Sequence, residues 1–371
     1  MSFETITPEG SEAINYCAVF LEKLGFKCRK LKFGNVSNLY AKYGDFEKNI
    51  CFAGHIDVVP PMEGWNTNPF VLTHRDGKLY GRGANDMKGP LSSALSAIAK
   101  FLNTNHHDFS ISVLLTSDEE IMGEDGTNRV VEWLLSRQEK ITGCILCESC
   151  SPSKAGEYIK IGCRGSLNVD FISRGAQCHV VNGKQYGNHL HDFVRLLSQF
   201  SNLSLDAGSE NFSPSDIELT SVDVGNDIRN VIPGTATAKF NIRFNDNWSF
   251  DTLEKFIKNM LPQNVSIEFQ RFSAPFIGAS DDFIKFCSTA VSKAIGIVPD
   301  RGTYGGNSDA VSLHRITDVV EIGSPISNAH IVNEWCTVEE LQVLEKVYYE
   351  LLSLLSYCGM SECHFAFRSN V

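Results

Sequence analysis

Two histidines and five acidic residues are spaced in this chain as a metal-assisted hydrolase would space them. The apolar run Ile50-Cys51-Phe52-Ala53-Gly54 ends in His55, and Asp57 follows two residues on. In extended chain, residues i and i+2 point the same way. Asp57 can therefore back His55, accepting its spare ring N–H and fixing the tautomer, as carboxylates behind metal-bound imidazoles do. A glycine-rich turn, Gly81-Arg82-Gly83-Ala84-Asn85, then delivers Asp86 ahead of a helical pattern. Beyond further apolar runs come Asp118-Glu119-Glu120, Glu148 and His330. Two imidazoles and three carboxylates suit zinc or a similar borderline divalent ion. With one carboxylate bridging, they would hold two ions roughly 3.5–4 Å apart, an arrangement found in aminopeptidases and phosphatases.

Each residue also has a plainer reading. Asp86 alone would be a helix N-cap, the acidic triplet a solvated turn, and a lone His structural. Their joint placement assigns His55, Asp86, Glu120, Glu148 and His330 to metal, with Asp86 as the bridge. Glu119 is then the general base, taking a proton from the attacking water and passing it to the leaving amine. His74, His106 and His107 are read as surface residues.

The elements that must position this set alternate between strand and helix. Helical periodicity runs over Ser11–Leu24, Met87–Leu102, Asn128–Leu135, Asp281–Ile295 and Val338–Tyr357. Strands are expected near Asn38–Tyr43, Asn49–Ala53, Ile111–Thr116 and Cys144–Cys147, the last two as short buried runs, and a further apolar run, Val319–Ile322, precedes His330. This predicts an α/β layer, a mainly parallel sheet with helices on both faces, whose ligands gather beyond the carboxyl ends of its strands. From Ser166 to Arg271 the order β-α-β-β-α-β predicts an inserted ferredoxin-like α+β unit. The expected division is residues 1–165 with 272–371 as the catalytic, metal-binding domain and 166–271 as the insert.

Composition narrows the partners. The 371 residues are 43% apolar and 21% charged, with a net charge of −11 and a pI near 5.4. That surface attracts neither nucleic acid nor anionic membrane, though a local Arg cluster can still bind an anionic small molecule. Met1–Gly10 has no basic region and no apolar core, so no signal peptide and a cytoplasmic location are expected. Twelve scattered cysteines, many in apolar segments, read as free thiols. Cys144, Cys147 and Cys150 read as the end of a buried strand, because no Cys or His pair follows at zinc spacing.

The same motifs carry a family likeness. Gly54-His55-Ile56-Asp57-Val58-Val59-Pro60, Tyr80-Gly81-Arg82-Gly83 to Asp86-Met87-Lys88-Gly89, and Ser117-Asp118-Glu119-Glu120 resemble the di-zinc amidohydrolases and exopeptidases, a family that includes acetylornithine deacetylase. Several further segments are most similar to its bacterial succinyl-diaminopimelate desuccinylases. These are Asp125-Gly126-Thr127, Ile159-Lys160-Ile161-Gly162 with Arg164-Gly165-Ser166-Leu167, Asn230-Val231-Ile232-Pro233-Gly234, Phe240-Asn241-Ile242-Arg243-Phe244, and Gly305-Gly306 with Ser308-Asp309-Ala310. The likeness spans nearly the whole chain, although the first helical turns usual in the family are expected to be missing.

The resemblance implies two Zn²⁺ ions, the second site also suiting Co²⁺ or Mn²⁺. His55 and Glu148 would hold one ion, Glu120 and His330 the other. It further implies a homodimer formed through the insert, with His179 reaching the partner's site to stabilise an oxyanion. Arg164, Asn230, Arg243, Gly306 and Asn307 would contact substrate, Arg being suited to carboxylates by its bidentate fork. Departures from the family pattern lie at Val181-Asn182-Gly183, Asn307, Val311, Ile326 and Cys147-Glu148-Ser149-Cys150. They spare the ligand set and touch the substrate contacts. The implied reaction is removal of succinate from N-succinyl-LL-2,6-diaminopimelate, on the route to lysine. A related deacylase or dipeptidase, and a non-catalytic binding relative, stay open as alternatives.

Overall fold

A computed structural model describes residues 1–121 and 123–357. The stretch 358–371, whose sequence shows no clear pattern, lies outside the described residues. In chain order the principal elements begin with α1 (Ser11–Lys23), β1 (Lys27–Phe33), β2 (Val36–Tyr43), β3 (Asn49–His55) and α2 (Lys88–Thr104). Next come β4 (Ser110–Thr116), α3 (Thr127–Ser136), β5 (Gly143–Leu146) and β6 (Tyr158–Lys160). Then follow β7 (Gly165–Arg174), α4 (His189–Ser201), β8 (Asp216–Asp223), β9 (Thr235–Phe244), α5 (Phe250–Asn259) and β10 (Val265–Ser273). The chain continues through α6 (Asp281–Ile295), β11 (Asp300–Gly302), β12 (Asp318–Glu321) and α7 (Val338–Tyr357). Two compact units result, one of Met1–Gly162 with the chain from Ile277 on, the other Cys163–Phe276.

The first unit is built on an eight-stranded sheet in the order β1-β2-β4-β3-β5-β12-β6-β11. Its centre is parallel: β3 pairs with β4 and with β5, and β5 with β12. Every residue of β3, β4, β5 and β12 is buried, which explains their unbroken apolar runs. The margin departs from the parallel expectation, because β1 and β2 form an antiparallel hairpin and β2 runs antiparallel to β4. Lys27, Arg29, Lys30 and Lys32 line the edge strand β1, and such charges discourage a second chain from pairing there. Helices settle on the sheet through their apolar stripes. Phe52 of β3 meets Tyr348 of α7 edge-on with ring centroids 5.8 Å apart, and the Tyr348 hydroxyl donates to the Ile322 carbonyl at 2.6 Å. Helix α6 starts at the Ser280 cap and stops at Gly296, whose φ of 75° suits glycine.

The second unit has four antiparallel strands in the order β8-β9-β7-β10, the ferredoxin-like arrangement. Ala236, Ala238, Phe240, Ile242 and Phe244 alternate inward along β9 and pack with Phe193, Leu197 and Phe200 of α4 and with Leu253 and Ile257 of α5. His107 corrects a surface reading. It is half-buried, its Nδ1 paired with the Phe109 carbonyl at 2.7 Å and its ring 4.9 Å from that of Phe109.

Candidate metal centre

Parallel strands end at one edge of a sheet, so whatever follows each of them is brought together. His55 closes β3, Glu119 and Glu120 follow β4, Glu148 lies two residues past β5, and His330 stands in the loop after β12. Asp86 comes from the glycine-rich turn before α2. Its Oδ1 sits 3.2 Å from His55 Nε2 and its Oδ2 3.3 Å from His330 Nε2. One carboxylate thus faces both imidazoles, an oxygen to each, as a bridging ligand must. His330 Nε2 also lies 2.9 Å from Glu120 Oε2, and His55 Nε2 lies 3.6 Å from Glu148 Oε2 and 3.9 Å from Glu119 Oε2. Among the described residues, His55, Asp86 and Glu120 offer ligand atoms that all fall within 4.8 Å of one another.

Asp57 differs in detail from its expected role. The nearest partner of His55 Nδ1 is the Asp57 backbone carbonyl at 3.0 Å, with the carboxylate oxygen Oδ1 at 3.6 Å. The other carboxylate oxygen accepts the Glu120 N–H at 3.2 Å. Either contact selects the tautomer whose Nε2 faces the site. The acidic triplet also divides its labour. Asp118 accepts from the Asp125 N–H at 3.0 Å and the Thr116 hydroxyl at 3.1 Å, bracing the turn that presents Glu119 and Glu120.

The carboxyls and rings of this cluster are displaced from their ordinary values. Burial raises Glu119 and Glu148 well above the ordinary carboxyl range, and neighbouring carboxylates add to the rise. Burial likewise pushes Asp309, which the sequence reading had left without a role, up to about 7. Asp86 moves down against its burial, because His330 and His55 hydrogen-bond it. Hydrogen bonds to Asp86 and Glu120 push His330 up to about 10. Two buried oxygens, Asp57 Oδ1 and Glu148 Oε2, have no hydrogen-bond partner among the described residues. Two imidazoles, crowded carboxylates and orphaned acceptor oxygens make a donor set that fits divalent cations.

The remaining residues of the expected site divide between the units. Gly306 and Asn307 lie between β11 and the short helix Ala310–Leu313, where buried Lys160 donates to the Gly306 carbonyl at 2.7 Å and to Glu321 at 2.9 Å. In the second unit His179 is exposed and accepts the Val181 N–H through its Nδ1. The Asn230 carbonyl accepts the Val180 N–H at 3.0 Å, which sets Asn230 beside it. Arg164 donates to Asp216 at 2.8 Å. Arg243 is lowered by burial and by the charge of Arg164. Cys144, Cys147 and Cys150 are buried free thiols, raised and kept neutral by burial.

Three residues that sequence reasoning missed stand behind the ligands: Arg82, Asn85 and Glu334, all buried. Arg82 and Asn85 sit inside a motif noted for its glycines. Glu334 lies four residues past His330 in a loop without periodicity.

Comparison with known proteins shows the family of the chain. The profile described as peptidase family M20/M25/M40 matches residues 51–354. A succinyl-diaminopimelate desuccinylase of Wolbachia pipientis wMel is 39% identical over 359 residues, 95% of this chain and 90% of the relative. One from Orientia tsutsugamushi (strain Boryong) is 40% identical over 364 residues, 95% of this chain and 94% of its own. Among solved structures, an M20 family metallo-carboxypeptidase from Sulfolobus solfataricus superposes with a TM-score of 0.77 at 20% identity, covering 96% of this chain and 97% of that one. A dinuclear metal-binding peptidase from Bacillus subtilis gives 0.69 at 14% identity, covering 95% and 94%. With the profile matched over most of its length and relatives of that identity matched over nearly all of it, the chain belongs to peptidase family M20/M25/M40.

Proposed function

We propose that the protein is a two-zinc amide hydrolase that converts N-succinyl-LL-2,6-diaminopimelate and water to succinate and LL-2,6-diaminopimelate. The observation that carries the chemistry is Asp86, with one oxygen toward each imidazole. The substrate rests on the name shared by the curated relatives. A zinc pair held by His55, Asp86, Glu120, Glu148 and His330 would polarise the amide carbonyl and acidify the attacking water.

The chain's own residues manage protons and position. Glu119 takes a proton from the water as its oxygen adds to the carbonyl carbon. It returns the proton to the amine nitrogen as the C–N bond breaks, and the new carboxyl gives its remaining proton to the freed amine, so succinate leaves as its carboxylate and the amine as ammonium. Asp57 keeps the tautomer of His55. In this reading Arg164, Arg243 and Asn230 hold substrate carboxylates, with the Gly306 and Asn307 loop as a further contact. His179 stabilises the oxyanion in a homodimer formed through the inserted unit, and the enzyme works in the cytoplasm.

The test is turnover by purified, zinc-supplemented protein on succinyl-diaminopimelate beside acetylornithine and a panel of dipeptides. Release of succinate from the first compound is expected. Cleavage of another substrate with this one left intact would overturn the specificity, and failure to bind any metal would overturn the chemistry.

A further inference from the structure

The bridging carboxylate is itself held from behind. Glu334 is completely buried and Arg82 is 1% exposed. Oε1 of Glu334 accepts the backbone N–H groups of Asn85 at 2.9 Å and of Asp86 at 3.0 Å. Its Oε2 receives Arg82 Nη1 at 2.8 Å, and the same nitrogen donates to the Ile331 carbonyl at 3.2 Å. The Gly81 N–H closes the arrangement on the Glu334 carbonyl at 3.0 Å. A buried ion pair therefore ties the turn that presents Asp86 to the loop that presents His330. Asn85 adds a third loop. Its amide donates to the Pro325 carbonyl at 2.8 Å, and its carbonyl accepts the hydroxyl of Ser149, the residue after Glu148, at 2.9 Å.

Stability alone is a poor reason for such a pair, because the desolvation of two buried charges offsets their attraction and apolar side chains often serve as well. Geometry is the better reason. His330 and Asn333 have φ of 62° and 58°, left-handed conformations that non-glycine residues hold only where the surroundings impose them. Arg82 and Glu334 act on the backbone between and around those two residues. We propose that Glu334 and Arg82 are positioning residues of the metal centre, fixing the Asp86 backbone and the His330 turn before any cation arrives. The inference rests on the two-cation reading above and adds to it the means of preorganisation.

The experiment compares the full-length protein with Glu334→Gln and Arg82→Lys, using Co²⁺ as the probe. The glutamine amide keeps one acceptor oxygen but sets N–H donors against the donors of Arg82 or of the turn. Cobalt affinity, read by competition with a chromophoric chelator, should fall by about 10–100-fold in Glu334→Gln, the usual loss when a group supporting a ligand is removed. The cobalt visible spectrum should change with it, and Arg82→Lys should show a smaller loss. A merely structural pair would lower the melting temperature and leave the spectrum of the folded, loaded protein as it was. Folded Glu334→Gln with unchanged affinity and spectrum overturns the proposal. Hydrogen exchange on the unmutated, chelator-treated protein decides the matter if a variant does not fold: the Asn85 and Asp86 amides should be protected, and free exchange there overturns the proposal as well. An unmutated protein that takes up no cobalt would instead defeat the two-cation reading.

Discussion

Loading the metal-free protein with zinc or cobalt at neutral pH is expected to expel protons. Hydrogen bonds to Asp86 and Glu120 push His330 up to about 10. Burial works against protonation of His55, but Asp57, Asp86 and the charges of Glu148 and Glu119 outweigh it and raise the ring well above its ordinary value. His330 is therefore imidazolium at neutral pH, and His55 is displaced in the same direction. Imidazole ligates only when neutral, so binding must displace the proton of His330 and any that His55 carries. Each displaced proton makes apparent affinity rise about tenfold per pH unit, about 1.4 kcal/mol. The product of the two affinities should climb at least about tenfold per unit through His330, and toward about 100-fold as His55 adds its share. Calorimetric titration in buffers of different ionisation enthalpy reads the proton count directly. Release of fewer than about one proton per chain at neutral pH would refute the ion-pair cluster. The same shifts fix a stability trend. His330, His55, Glu119 and Glu148 all have folded values above their unfolded ones, so the native metal-free protein binds more protons than the unfolded chain, and its stability falls as pH rises. The His330 part is fully present below its unfolded value of 6.5 and is lost as pH climbs through about 10. Asp86, held low, runs the other way and loses its contribution only as pH falls below the ordinary carboxylate value of 3.8. Chelator-treated protein should thus melt lower in mild alkali than in mild acid, and cobalt should remove most of that slope.

Glu119→Gln should lower turnover by about 10²–10⁴-fold while metal analysis finds the cations retained; loss of metal would mean that Glu119 and Glu120 have exchanged roles. His179→Ala should lower kcat by about 10²–10³-fold with a smaller effect on KM, the pattern of an oxyanion donor, and a near-normal kcat would remove it from the reaction. Lys160→Met leaves buried Glu321 without its partner at 2.9 Å, which should cost about 3–5 kcal/mol in urea unfolding. It should also raise KM, since the Lys160 hydrogen bond to the Gly306 carbonyl is lost; unchanged stability would show that Lys160 is dispensable.

What could be read in the sequence was whatever a short window contains. Continuous apolar runs announced β3, β4 and β5, and a ligand just past each run announced the sheet edge where they meet. Helices α6 and α7 fall on the residues their periodicity marks, because one stripe of each packs on the sheet. Strand β1 escaped notice because its lysines, placed there by the demands of an edge, mask any alternation. The β6 and β11 strands are three residues each, too short to show a period. Deeper failures concern charge. In a loop, an Arg or a Glu reads as solvated, and the cost of burying it is avoided only if a partner is present. For Arg82 that partner is Glu334, at the far end of the first unit's sequence, so neither neighbourhood discloses the pair. Asp118 shows the converse: it sits beside Glu119 and Glu120 with the same chemistry, yet two local hydrogen bonds turn it to bracing the turn. Ligands at strand ends are a local property of the chain, whereas the groups that hold those ligands still are a property of the closed fold. A metal centre of this kind is therefore legible in its donors before it is legible in what makes them rigid.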